Sequence, residues 1–130
     1  MDAADRLELH ELPGRYGDAI DDRDWPRLAR IFTEDAVFDL TDLGGPRLEG
    51  LTAIQRYMDT DAQHPRTHLM TNIYADEEPD GTVRMSFRII ALLPERRTGT
   101  ASYRDVVVKT PAGWRVKDRV ITLKRPGAGA

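Results

Sequence analysis

In the first third of the chain, Leu9, Leu12, Tyr16, Ala19 and Ile20 recur at the three-and-four spacing of one helix face. This predicts a helix from about Ala4 to Asp21, weakened and bent near Pro13-Gly14, because proline removes a helix donor and glycine is loose. Asp22-Arg23-Asp24 breaks the pattern. Asp24 suits an N-cap and Pro26 a first helical turn, so a second short helix is expected from Trp25 to about Phe32, burying Leu28, Ile31 and Phe32. Ala36–Leu40 reads as a short strand and Thr41–Leu48, with Gly44-Gly45-Pro46, as a loop. Leu51, Ile54 and Tyr57 then mark a third helix to about Met58.

The second half switches to alternation. Four strands are predicted: Thr67–Ala75, Val83–Leu93, Thr98–Lys109 and Trp114–Lys124. Asp80-Gly81 and Thr110-Pro111-Ala112-Gly113 are turns, and Pro94-Glu95-Arg96-Arg97 makes the remaining connection. In the first strand, His68, Met70, Asn72 and Tyr74 are expected on one side, with Leu69 and Ile73 on the other. Helices followed by antiparallel strands predict an α+β fold, with three helices packed on one face of a strongly bent sheet. One domain is expected over 1–130, with its core at about 7–124 and a flexible tail at 125–130.

Composition narrows the function. The 130 residues are 40% hydrophobic and 32% charged, with a formal charge of −3, so no nucleic-acid partner is expected. No apolar run reaches a membrane span, and the acidic start Met1-Asp2-Ala3-Ala4-Asp5 is unlike a signal peptide. A cytoplasmic protein is expected. The absence of cysteine removes disulfides, thiolate metal sites and cysteine nucleophiles. No histidine pair stands at ligand spacing, so no metal is expected. Glycine-rich phosphate loops and serine elbows are also missing.

Tyr16, Asp21 and His68 are the candidate chemical groups. An imidazole titrates near neutrality and suits a general base; a carboxylate beside it orients the ring; a phenol donates to a substrate oxygen. The competing readings are a core tyrosine, a solvated helix-end aspartate and a structural histidine. Residues five apart on a helix lie about 140° apart, so Tyr16 and Asp21 meet one cavity only if it wraps around the helix end. Alternation offers Trp25, Phe38, Leu40, Met70, Met85 and Phe87 as apolar wall, with Tyr103 and Asp105 on the same side of one strand. His10 and His64 are read as exposed.

The ordered series Arg15-Tyr16-x4-Asp21-x2-Asp24-Trp25, Ile31-Phe32-Thr33-x-Asp35-Ala36-Val37, Gly50-x3-Ile54, Thr67-His68-x2-Thr71-Asn72, Tyr103-x-Asp105 and Gly113-Trp114-Arg115-Val116 with Arg119 resembles SnoaL-like domains of the nuclear transport factor two-like superfamily, over residues 7 to 124. The resemblance implies a cone of three helices on a curved, mostly antiparallel sheet around a pocket, with dimers or trimers common. It also implies, for Tyr16, Asp21 and His68, the places of the catalytic groups of bile acid 7α-dehydratase, and for Asp21 and His68 those of scytalone dehydratase. Departures are visible: a further tyrosine of scytalone dehydratase falls at Ile20, the second acid of the bile acid enzyme near Ala91, and the base of ketosteroid isomerase at Leu40.

Three functions follow as expectations. One is a cofactor-independent lyase or isomerase acting beside a carbonyl in a hydrophobic polyketide, terpenoid or steroid-like molecule. The second is a non-catalytic domain that binds such a ligand. The third is a structural or interaction role through the open sheet face.

Overall fold

The computed structural model describes residues 1–123; Lys124 and the expected tail at 125–130 lie outside the described residues. Helix α1 spans Ala3–Asp21. A capping box starts it: the Asp5 N–H donates to Asp2 Oδ1 at 2.8 Å and the Asp2 N–H donates back to Asp5 Oδ2 at 3.3 Å. The helix runs unbroken through Pro13. Its first turns are tied down from outside. Glu8 accepts the Trp114 backbone N–H at 2.9 Å, and Asp5 accepts the Trp114 indole N–H and Lys109 Nζ, each at 2.9 Å. Tertiary anchors thus support the segment in which proline cannot donate.

The second helix is a 3-10 segment, Trp25–Arg30, shorter than the Trp25–Phe32 expectation. Asp24 does not cap it with its side chain; that carboxylate takes the Arg27 guanidinium at 3.2 Å. Phe32 opens strand β1, Phe32–Asp39, which absorbs what sequence periodicity gave to the helix end. The expected loop contains a 3-10 turn, Thr41–Leu43, and a short strand β2, Arg47–Glu49. Helix α2 is Leu51–Thr60. Strands β3 Thr67–Glu77, β4 Val83–Leu92, β5 Thr98–Thr110 and β6 Gly113–Leu123 follow.

The six strands form one sheet in the order β2-β1-β6-β5-β4-β3. Among the described residues only the β1–β6 contact is parallel; the other pairs are antiparallel. The sheet is therefore mixed and open, and the fold is α+β. Turns fall where glycine or strain marked them: Gly81 has φ 89, and Glu95 and Arg96 take φ 62 and 60 in the β4–β5 connection. A bulge between Thr71 and Tyr74, with Asn72 at φ 55, shifts the β3 register. One extra residue reverses the facing of everything after it. His68 and Met70 are half-buried and Leu69 is exposed; beyond the bulge Ala75 is buried, whereas Tyr74 is 54% exposed. The expected shared face of His68, Met70, Asn72 and Tyr74 therefore ends at Met70.

Residues of five adjacent strands, β1, β6, β5, β4 and β3, reach a single cavity of about 510 Å³. Five strands lie about 19 Å across at ordinary spacing, so the sheet must curl for its two sides to share so small a space. Helices α1 and α2 close the opening, docked by Ile20, Ile54 and Met58.

Candidate functional site: an imidazole–carboxylate pair beside an apolar cavity

Helix α1 presents two faces near its C-terminus. Tyr16 and Ile20, one turn apart, line the cavity. Gly17 and Asp21, also one turn apart, face β3. A Cβ on Gly17 would stand 2.9 Å from Met70 Cε and 3.7 Å from His68 Cβ, so the missing side chain sets how closely helix and strand approach. That approach brings Asp21 to His68. His68 Nδ1 lies 2.7 Å from Asp21 Oδ1. The His68 backbone N–H and the Thr67 hydroxyl both donate to Asp21 Oδ2, at 3.0 and 2.8 Å. The helix stops immediately afterwards: Arg23 has φ 57, and its guanidinium donates to the Ile20 carbonyl at 2.8 Å.

Burial pushes the Asp21 carboxyl up, but hydrogen bonds from the His68 ring, the His68 backbone and Thr67 outweigh it and hold it below the ordinary range. Asp21 is therefore ionised, and because a carboxylate only accepts, the His68 Nδ1 that faces it carries a proton. The His68 side chain is 7% exposed and lines the cavity. Its Nε2 has no hydrogen bond among the described residues, yet is not sealed off. Nε2 is thus the ring nitrogen that Asp21 leaves uncommitted. The 140° separation of Tyr16 and Asp21 is bridged by this ring: Asp21 stays behind, outside the lining, and His68 projects forward.

The cavity floor holds two phenols. Tyr16 and Tyr103 are 2% and 3% exposed, with ring centroids 6.1 Å apart. Burial pushes both phenols above their ordinary value, most strongly Tyr103, so both remain protonated donors. Beneath them lies Arg119, wholly buried, paired through two bonds with Asp105 at 2.9 and 2.8 Å. Five rings surround its guanidinium, from Tyr16 at 4.3 Å to Phe38 at 5.5 Å. Burial opposes its charge, but the Asp105 carboxylate more than restores it and raises the Arg119 pKa.

The sequence-selected wall divides. Phe38, Leu40 and Tyr103 line the cavity together with Ile89, Ala101 and Ile121. Trp25, Met70, Met85, Phe87 and Asp105 do not. Trp25 lies outside, its indole donating to Asp59 at 3.0 Å. Met70 fills the α1–β3 seam against Gly17. Met85 is wholly buried in the core, and Phe87 stacks under Tyr103 at 4.7 Å. Asp105 is engaged by Arg119. Alternation selects the inward side of a strand correctly, but the curled sheet divides that side between core and cavity.

Two features escaped sequence reasoning. Asp105 and Arg119 are direct cross-strand partners, a pairing that follows from strand register around the Gly113 turn only once the β-bulge between Val106 and Val107 is counted. His64, expected to be exposed, is half-buried and lines the cavity; no periodic pattern marks the irregular segment that carries it. Asp39 turns away to accept from the Thr41 N–H and hydroxyl. Among the described residues, no helix is long and apolar enough to cross a membrane.

The family model for the SnoaL-like domain matches residues 1–120. An uncharacterized protein of Mycobacterium tuberculosis is 31% identical over 139 aligned positions, spanning 92% of this chain and 85% of its own. A solved structure from Novosphingobium aromaticivorans, described as a candidate aromatic ring hydroxylase, superposes with a TM-score of 0.79 at 25% identity, covering 97% of this chain and 93% of that one. A candidate scytalone dehydratase from the same organism gives a TM-score of 0.70 at 21% identity, over 92% and 83%, a likeness of fold. With the family model covering nearly its whole length, this chain belongs to the SnoaL-like domain family.

Proposed function

We propose that the protein is a cofactor-independent lyase or isomerase that moves a proton at a carbon next to a carbonyl, in a hydrophobic small molecule of polyketide, terpenoid or steroid type. The family includes dehydratases and isomerases. The observation that carries the reading is the Asp21–His68 pair: a carboxylate holds Nδ1 at 2.7 Å and leaves Nε2 open to an apolar cavity.

His68 Nε2 takes the proton from carbon. The imidazolium so formed is balanced by Asp21 and by the partial negative charge of the α1 C-terminus. Electrons released from the C–H bond move to the carbonyl oxygen, where Tyr16, with Tyr103 beside it, donates a hydrogen bond to the developing enolate. The apolar walls exclude water and strengthen both interactions. His68 then returns its proton, either to a departing hydroxyl, which leaves as water, or to another carbon. The inward residues of β4 are Val83, Met85, Phe87, Ile89 and Ala91, so this strand supplies no second acid. One imidazole therefore serves as both base and acid. The same apolar strand favours the second reading, a domain that only binds its ligand.

An acetylnaphthol with its acetyl and hydroxyl groups on opposite rings is a suitable probe. Wild-type protein is expected to accelerate deuterium exchange at the acetyl methyl, and His68→Ala to keep the fold and the bound probe but lose the acceleration. Exchange at equal rates in wild type and variant, or no wild-type rate above buffer, overturns the proton-transfer reading.

A further inference from the structure

We propose that His64 is a ligand-reading residue of the same cavity, accepting a hydrogen bond from a hydroxyl at the outer end of the bound molecule. The inference rests on the cavity being the ligand site and adds which molecules it selects. His64 belongs to the segment from Asp61 to Pro65 that forms the cavity rim between α2 and β3. Its Nε2 lies 2.6 Å from the Met58 carbonyl oxygen. A carbonyl only accepts, so Nε2 carries the proton. Burial, first among several influences, holds the His64 pKa below its ordinary value, so the ring is neutral near pH 7 and Nδ1 bears a lone pair. Nδ1 has no hydrogen bond among the described residues and is not sealed off.

The ring is also held in place. It stacks on Trp25 with centroids 5.2 Å apart. Trp25 in turn donates its indole N–H to Asp59 at 3.0 Å and accepts from Gln55 at its carbonyl at 3.1 Å. A histidine serving structure alone would normally use both nitrogens or leave the free one in water. Here one nitrogen is tethered, one face is covered, and the ring lines a cavity. The cavity thus carries phenol donors at its floor, the His68 ring on one side and a fixed acceptor at its rim. A molecule that satisfies all of them is neutral and apolar in the middle, with a carbonyl at the inner end and a hydroxyl at the outer end.

The acetylnaphthol and its methyl ether differ only in the hydroxyl donor. Wild-type protein is expected to bind the hydroxyl form about fivefold more tightly, the worth of one ordinary hydrogen bond. His64→Gln keeps an N–H for Met58 but places no acceptor where Nδ1 stood, and should bind both probes equally. His64→Asn places an oxygen near the Nδ1 position and should retain the preference. In wild type, the His64 Nδ1 resonance should move with the hydroxyl probe and stay with the ether. Equal wild-type affinities, an unmoved Nδ1 resonance, or full preference in His64→Gln overturns the assignment. Deuterium exchange by the wild-type protein, which depends on His68, reads the proton-transfer proposal separately, so a failed hydroxyl preference beside wild-type exchange overturns the His64 assignment alone. No saturable binding of either probe to wild type overturns the ligand site itself.

Discussion

Replacing Asp21 by Asn keeps the shape of the side chain, and the surrounding donors decide which way the new amide turns. The Oδ2 position receives two donors, the Thr67 hydroxyl at 2.8 Å and the His68 backbone N–H at 3.0 Å. The hydroxyl can rotate; the backbone N–H cannot. Turning the amide nitrogen toward that N–H would leave a buried donor facing a donor, at about 1–3 kcal/mol, a bias of about 5- to 150-fold. The amide oxygen therefore takes the Oδ2 position, and the NH₂ group faces His68 Nδ1. Nδ1 must then accept, and the ring proton moves to Nε2, where it blocks the base. Long-range proton–nitrogen NMR reads this directly: wild type should show the proton held on Nδ1, and Asp21→Asn a protonated Nε2 with an unprotonated Nδ1. Catalysed deuterium exchange should fall by about 10²- to 10⁴-fold, the usual worth of a positioned acid–base group. An Asp21→Asn protein with its proton still on Nδ1 and its exchange rate intact would refute the proposed role of the carboxylate.

The pH dependence of stability follows from the depressed Asp21 carboxyl. Folding favours its ionised form, so its contribution is complete above the unfolded value of about 3.9 and is lost as pH falls through the folded value; urea titrations should show wild type and Asp21→Asn converging toward low pH. Removing one half of the buried ion pair, as in Arg119→Met, strands the Asp105 charge and should cost about 3–5 kcal/mol, whereas the double variant Asp105→Leu with Arg119→Met should recover most of it. Gly17→Ala should be nearly neutral in melting temperature, because the flexible end of Met70 can shift and alanine gains about 1 kcal/mol of helix propensity. Gly17→Leu should force α1 from β3, cost about 1–3 kcal/mol, and release the His68 ring from Asp21 in the NMR spectrum. Alkaline titration should leave Tyr16 and Tyr103 protonated past their ordinary value; stability should therefore fall as pH rises above about 10, where the unfolded phenols ionise first.

The sequence by itself determined the helix-then-strand order, the inward side of β4, the shared side of Tyr103 and Asp105 on β5, the turns at Gly81 and Gly113, and three polar groups worth watching. These are local matters, legible because side-chain direction repeats every 3.6 or 2 residues. Where local rules competed, the reading slipped. Phe32 satisfies a helix pattern and a strand start equally, and parallel pairing with β6 decided for the strand. The bulge at Asn72 reversed the facing of Tyr74, since register belongs to a pair of strands rather than to one. Only the tertiary structure decided that His68 stands between Asp21 and the cavity, because that geometry depends on the depth to which α1 sinks at Gly17. Likewise the division of inward residues into core and cavity wall, and the turning of His64 into the rim, follow from how the sheet curls. Curvature is a property of the assembled sheet, and no single stretch of chain encodes it.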